Sequence, residues 1–156
     1  MPEKIPQELI DRFIIKLKTD EKLSGKKIFG NDNALKIEIG SGNGHFLVDV
    51  ALANKDINYI GIELKFARVC KTISKCIKRN IDNIRIYYGD AIPFIASNIT
   101  ESSVSEFYYN FPDPWPKRKQ FKKRIVTPVF LDNIYRIMTD DAIITFVTDH
   151  DEYLNW

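Results

Sequence analysis

Residues 34–44 read Ala34-Leu35-Lys36-Ile37-Glu38-Ile39-Gly40-Ser41-Gly42-Asn43-Gly44. The first six make a short β-rich run, and three alternating glycines close it ahead of a helical stretch reaching Ala53. Glycines in such a turn permit positive φ and let a ligand approach the backbone closely. A strand that enters a helix through a glycine-rich turn points to an α/β fold.

Outward from this unit the pattern repeats. Residues 58–63 predict a second strand ending at Glu63. Beyond it Phe66, Val69, Cys70, Ile73 and Ile77 recur at spacings of three and four, which predicts an amphipathic helix. Lys65, Arg68, Lys71, Lys75 and Lys78 fall mostly on its other face. Residues 84–88 predict a third strand, closed by Gly89-Asp90, and 104–111 and 142–148 a fourth and fifth. Thr127 as N-cap with Pro128 in the first turn predicts a helix to about Met138, and Asp140-Asp141 predict a turn. An extra helix is expected over about 6–17, joined by a polar loop, 19–33.

Strands separated by helices need right-handed crossovers, so we expect a mostly parallel sheet covered on both faces. Residues 1–33 are read as a helix and linker, and 34–156 as the main domain. Ligands on such sheets bind outside the carboxyl ends of the strands. Gly40, Glu63, Asp90, Asp113 and Asp149 all lie at the C-terminal end of a predicted strand, which places them on one rim.

The 156 residues suit one domain with one core. A hydrophobic share of 44% and a charged share of 28% exclude a disordered tail, a collagen-like repeat and a disulfide scaffold. No apolar run nears the roughly 20 residues of a membrane helix, and Met1-Pro2-Glu3-Lys4 lacks a signal-peptide core. Cys70 and Cys76 fall about 240° apart around a helix, so small buried hydrophobes are expected rather than a bridge, in a reducing cytosol.

The net charge of +2 hides an asymmetry. Lys117, Arg118, Lys119, Lys122, Lys123 and Arg124 occupy one eight-residue window; without it 17 basic residues face 21 acidic ones. Such a block is either a solvated loop or a polyanion site.

The motifs narrow the chemistry. A dinucleotide fingerprint would want a small residue where His45 stands. Glycines at 40, 42 and 44, with Glu38 two residues ahead, suit a cofactor without a pyrophosphate. Glu63 can accept from both hydroxyls of a ribose. Asp90 can reach an adenine amino group or cap the next helix. In Asn110-Phe111-Pro112-Asp113-Pro114-Trp115-Pro116-Lys117 two prolines fix the backbone about Asp113, and flanking aromatics can stack on an exposed purine. His45 and His150 show no metal-ligand spacing, and no nucleophile elbow occurs.

Together, Glu38-x-Gly40-x-Gly42-x-Gly44, Gly61-Ile62-Glu63, Gly89-Asp90-Ala91, Phe111-Pro112-Asp113-Pro114-Trp115-Pro116-Lys117, Lys123-Arg124 and Thr148-Asp149 resemble the bacterial tRNA (guanine-N7)-methyltransferases. The resemblance covers 34 to 156 and implies a Rossmann-like class I methyltransferase fold. It implies S-adenosylmethionine as cofactor and a variable-loop guanine of tRNA as substrate. It also implies that Glu38, Gly40, Gly42, Gly44, Glu63, Asp90 and Asp113 line the methyl-donor site, with Asp113 catalytic. Lys117 and Asp149 would contact the substrate, beside Arg118, Lys122, Lys123 and Arg124. That family continues with further strands and a Thr-x-x-Glu motif, so a chain shortened at its C-terminus is expected. Two alternatives stay open, a nicotinamide-dependent oxidoreductase and a noncatalytic RNA-binding fragment; monomer and homodimer are equally compatible.

Overall fold

The computed structural model describes residues 5–18 and 21–156. The N-terminal tetrapeptide and the first two residues of the expected polar loop, Thr19 and Asp20, lie outside the described residues. The chain runs α1 (Gln7–Phe13), α2 (Gly25–Phe29), β1 (Ala34–Ile39), α3 (His45–Ala53), β2 (Ile57–Glu63), α4 (Phe66–Lys78), β3 (Ile84–Tyr88), α5 (Ala91–Asn98), β4 (Val104–Asn110), a 3₁₀ helix (Arg118–Lys123), α6 (Pro128–Ile137), β5 (Met138–Val147) and α7 (Asp151–Leu154).

The strands form one sheet in the order β3-β2-β1-β4-β5, with every pair parallel. This is a doubly wound, Rossmann-like arrangement. Alternation along the strands divides the core in two. Tyr59, Ile84 and Ile86 meet Leu47, Val48, Val69, Ile73 and the α1 residues Ile10 and Phe13 on one face. On the other, Ile37, Ile39, Ile60, Ile62 and Phe107 meet Phe94, Ile95, Phe130 and Ile134. Strands buried on both faces explain the near-continuous apolar runs in the sequence.

Two glycines are required by close packing. A Cβ at Gly61 would lie 2.6 Å from Leu47 Cδ2, so α3 packs directly on β2. Gly44 has φ +72°, and a Cβ there would come within 2.4 Å of Thr72 on α4.

Several details depart from the sequence reading. The first helix stops at Phe13, because Ile14 turns extended and bridges Ile86 of β3. The loop ahead of β1 contains α2, capped by Ser24 and ended by Gly30 in the left-handed region. Asp140 and Asp141 lie within β5 rather than in a turn; the β4–β5 register shifts there, with Val104 opposite Met138 but Glu106 opposite Ile143. Both cysteines are free, but only Cys76 is buried, while Cys70 is half-buried. No described helix is long and apolar enough to cross a membrane.

Candidate active site

Winding reverses between β1 and β4, and there the carboxyl ends of the strands open a cleft of about 460 Å³. Its walls bring together Gly40, Glu63, Asp90, Asp113, Trp115 and Lys123, which are up to 83 positions apart in the chain.

The glycine turn is fixed from below. Glu63, buried at the end of β2, accepts the Gly42 amide on Oε2 at 2.9 Å and the Lys65 amide on Oε1 at 2.8 Å. One carboxylate therefore ties the turn after β1 to the start of α4, and each oxygen keeps a lone pair for a hydroxyl. A Cβ at Gly40 would meet no atom within 4 Å, which leaves open space above the turn. Asp90 caps α5 by accepting the Ile92 amide at 2.9 Å, so the capping role is real, and the residue also lines the cleft.

Glu38 lies deeper. Asn110 Nδ2 donates to its Oε1 at 3.2 Å, while Oε2 is buried with no partner among the described residues. Burial pushes this carboxyl up to about 7, and the Asn110 bond opposes the shift. An unpartnered buried oxygen is costly and favours a donor or a cation beside it.

The segment after β4 makes the opposite wall. Phe111 and Trp115 both take positive φ, 48° and 44°, on either side of Asp113. Backbone in this region is strained for non-glycine residues, typically by about 1–3 kcal/mol each, and such strain collects at functional sites. Asp113 is exposed on the cleft wall, and Lys123 stands 4.4 Å over the Trp115 ring. Lys117, Arg118, Lys119 and Lys122 are exposed beyond it. Asp149 is exposed just past the end of β5, outside the cleft lining.

Arg124 departs from the expected phosphate-facing patch. Its side chain is fully buried, 4.0 Å from the Phe121 ring, 4.6 Å from Trp156 and 4.9 Å from Tyr153. Its Nε donates to the Pro114 carbonyl at 3.0 Å. The alternation of exposed Lys122 and Lys123 with inward Phe121 and Arg124 belongs to the 3₁₀ turn, which composition does not reveal. The sequence reading also missed Asn110, and Lys65 and Arg68 of the cleft lining. Asn110 could have been found: it is the last residue of β4, and a parallel sheet delivers side chains at its strand ends to the ligand edge.

A family described as "Putative methyltransferase" matches residues 32–156. The chain belongs to this methyltransferase family. Among its relatives, the tRNA (guanine-N(7)-)-methyltransferase of Chlamydia felis is 39% identical over 84% of this chain and 58% of its own length. That of Listeria monocytogenes serotype 4b is 38% identical over 87% of this chain and 63% of its own. The chain thus spans about three-fifths of the length of these relatives. Among solved structures, an antibiotic-related methyltransferase superposes with a TM-score of 0.61 at 19% identity, covering 86% of this chain and 70% of that one. A geranyl diphosphate C-methyltransferase from Streptomyces coelicolor, solved with S-adenosyl-L-homocysteine, gives 0.58 at 11% identity, over 91% and 42%. Both likenesses are of fold.

Proposed function

We propose that this methyltransferase-family chain transfers the methyl group of S-adenosylmethionine to N7 of the variable-loop guanine in tRNA, in the cytoplasm. One observation carries the reading: a single cleft is walled on one side by Gly40, Glu63 and Asp90 and on the other by Asp113, Trp115 and Lys123. The relatives named tRNA (guanine-N(7)-)-methyltransferase support the same substrate.

The residues present fit the donor. Glu63 suits its ribose hydroxyls, Asp90 its adenine amino group, and the open space over Gly40 its main chain. Glu38, two residues ahead of Gly40, has an Oε2 without a partner among the described residues, which a cationic group would satisfy. When bound, S-adenosylmethionine supplies a methyl group on a positively charged sulfur.

Guanine N7 carries an in-plane lone pair and no proton, so no general base is needed. Rate must then come from alignment, which contributes roughly 7–11 kcal/mol in well-oriented reactions. Asp113 accepts from the N–H edge of guanine, orients the ring and favours the positive charge that develops on it. Adenine presents a different donor pattern at that edge. Trp115 offers its face to the base, and the exposed cations of 117–123 hold flanking phosphates without reading sequence.

The test is calorimetry with S-adenosylmethionine and NADH, followed by methylation of a tRNA transcript mapped by cleavage at 7-methylguanine. Donor binding without NADH binding, and one methylated guanine, are expected. Tight NADH binding with no donor binding would overturn the reading.

A further inference from the structure

The glycine turn is held at its near end by β2. The Ile62 carbonyl accepts the Gly40 amide at 2.8 Å and the Ser41 amide at 3.1 Å, and Glu63 accepts that of Gly42. The far end is different. Gly42 and Gly44 flank Asn43 with φ of 56° and 72°, so the backbone on either side of Asn43 is intrinsically loose. Among the described residues no backbone amide donates to the Asn43 carbonyl.

α4 supplies what β2 does not. Arg68, Thr72 and Lys75, spaced i, i+4 and i+7, share one helix face, and that face lies along the turn. The Thr72 hydroxyl is 3.5 Å from the Gly42 carbonyl but 3.2 Å from the Arg68 carbonyl of its own helix, so its single proton goes to the helix. Lys75 Nζ donates to the Asn43 carbonyl and lies 3.2 Å from His45 Nε2. The imidazole nitrogen is the acceptor there, because an ammonium has three donors and no lone pair. Lys71 and Lys78 are exposed, whereas Lys75 is half-buried. Burial lowers its pKa below the usual lysine value, and the Arg79 and Lys71 cations lower it further. An ammonium drawn out of water needs partners, and its partners are the carbonyl and the imidazole at the end of the turn.

We propose that Lys75 is a positioning residue of the methyl-donor site: from α4 it holds the Asn43 carbonyl, and so keeps the half of the glycine turn that Glu63 does not reach in the shape that admits S-adenosylmethionine. A turn already in its bound shape costs no ordering when the ligand arrives. Where only a fraction of molecules holds that shape, the apparent Kd rises by the inverse of that fraction. Lys75 touches no ligand in this role and acts through the turn. The role rests on the S-adenosylmethionine reading above and deepens it.

Amide exchange followed by NMR reads the turn without any ligand. In Lys75→Met, exchange at Gly44, whose amide donates to the Ser41 carbonyl at 2.8 Å, should speed up by about tenfold, while exchange at Gly42, held by Glu63, stays as it was. Calorimetry should show S-adenosylmethionine bound about tenfold more weakly. Lys75→Gln, too short to reach the carbonyl, should match Lys75→Met, and Lys75→Arg, which keeps the charge and the donors, should recover part of both effects. Melting temperatures separate a loss of fold from a loss of positioning. Normal S-adenosylmethionine affinity in both neutral variants, whatever their melting temperatures, would make Lys75 a structural cation only and overturn the role, with the methyl-donor reading left standing. Failure of the wild-type chain to bind S-adenosylmethionine would overturn that reading and the role together.

Discussion

Arg124 Nε donates to the carbonyl of Pro114 at 3.0 Å, one residue beyond Asp113. The guanidinium plane is enclosed by Phe121, Tyr153 and Trp156, so a cation from the basic window holds the Asp113 wall from behind. Removing it leaves a cavity and an unpaired carbonyl. We expect Arg124→Ala to cost about 2–4 kcal/mol of stability. Arg124→Lys should recover only part, because an ammonium lacks the planar stack and the fixed Nε geometry. Urea denaturation checks both. A lowered RNA salt slope with unchanged stability would return Arg124 to the phosphate contacts.

Glu38 makes stability depend on pH. Its carboxyl sits at about 7 in the folded chain against an ordinary 4.5. Between those values the folded state binds more protons than the unfolded state, so stability falls as pH rises through that window and levels off above it. The full loss is about 3 kcal/mol, at 1.36 kcal/mol per unit. Glu38→Gln should flatten this decline and leave the protein more stable at pH 8 than the parent. Denaturation midpoints at pH 5, 6, 7 and 8 give the comparison; parallel curves would remove Glu38 as the cause.

Glu63→Ala deprives two backbone amides, those of Gly42 and Lys65, of their acceptor. Both stability and S-adenosylmethionine affinity should therefore drop, each by about 1–3 kcal/mol. Thermal melting with and without the donor separates the two effects. A variant that melts normally and binds normally would leave the ribose assignment without support.

Gly44→Ala meets two obstacles at once, a left-handed backbone and the Thr72 side chain. A loss of about 2 kcal/mol or more is expected from strain and contact together. The paired variant Thr72→Ser removes the Cγ2 contact but keeps the hydroxyl and Cβ, so it should recover part of the loss. No recovery would show that backbone strain and the retained contacts, rather than the methyl, carry the cost.

Asp113→Ala should leave the melting temperature within a degree or two, since an exposed carboxylate on a wall adds little to the core. Asp113→Asn keeps the shape but replaces an acceptor oxygen with a donor. In single-turnover methylation both should slow the step far more than they weaken tRNA binding. A normal rate in Asp113→Ala would reduce the residue to a turn former.

How much of this was legible depended on whether the deciding interaction was local. The third strand, the long amphipathic helix and the Thr127 cap are written in periodicity and in one side chain, and they emerge at or near their expected bounds. The short helix 25–29 also had a signal, Ser24 before it and Gly30 after it, that a polar composition obscured. The early end of the first helix was hidden, because Ile14 is drawn into an extended bridge by Ile86, 72 residues away. Arg124 was hidden for the same reason. Its aromatic neighbours Tyr153 and Trp156 arrive only through the fold, so charge alone placed it with the exposed lysines. The glycine turn and its carboxylates were readable in position, but the bonds from Glu63 to Gly42 and Lys65 were not.

The all-parallel strand order has a kinetic consequence. β1 meets β2 after one short crossover, but its other neighbour arrives late: Lys36 pairs with Glu106, 70 positions along the chain. Closing so long a loop costs conformational entropy before any contact rewards it, and topologies of this kind fold slowly. During synthesis, the β1–β3 half can emerge and begin to pair before β4 exists. The cleft has no second wall until that final seam closes. In refolding from urea, competence to bind S-adenosylmethionine should therefore appear with the slowest phase of the fluorescence recovery, and a stopped-flow experiment that found binding in a faster phase would contradict this order.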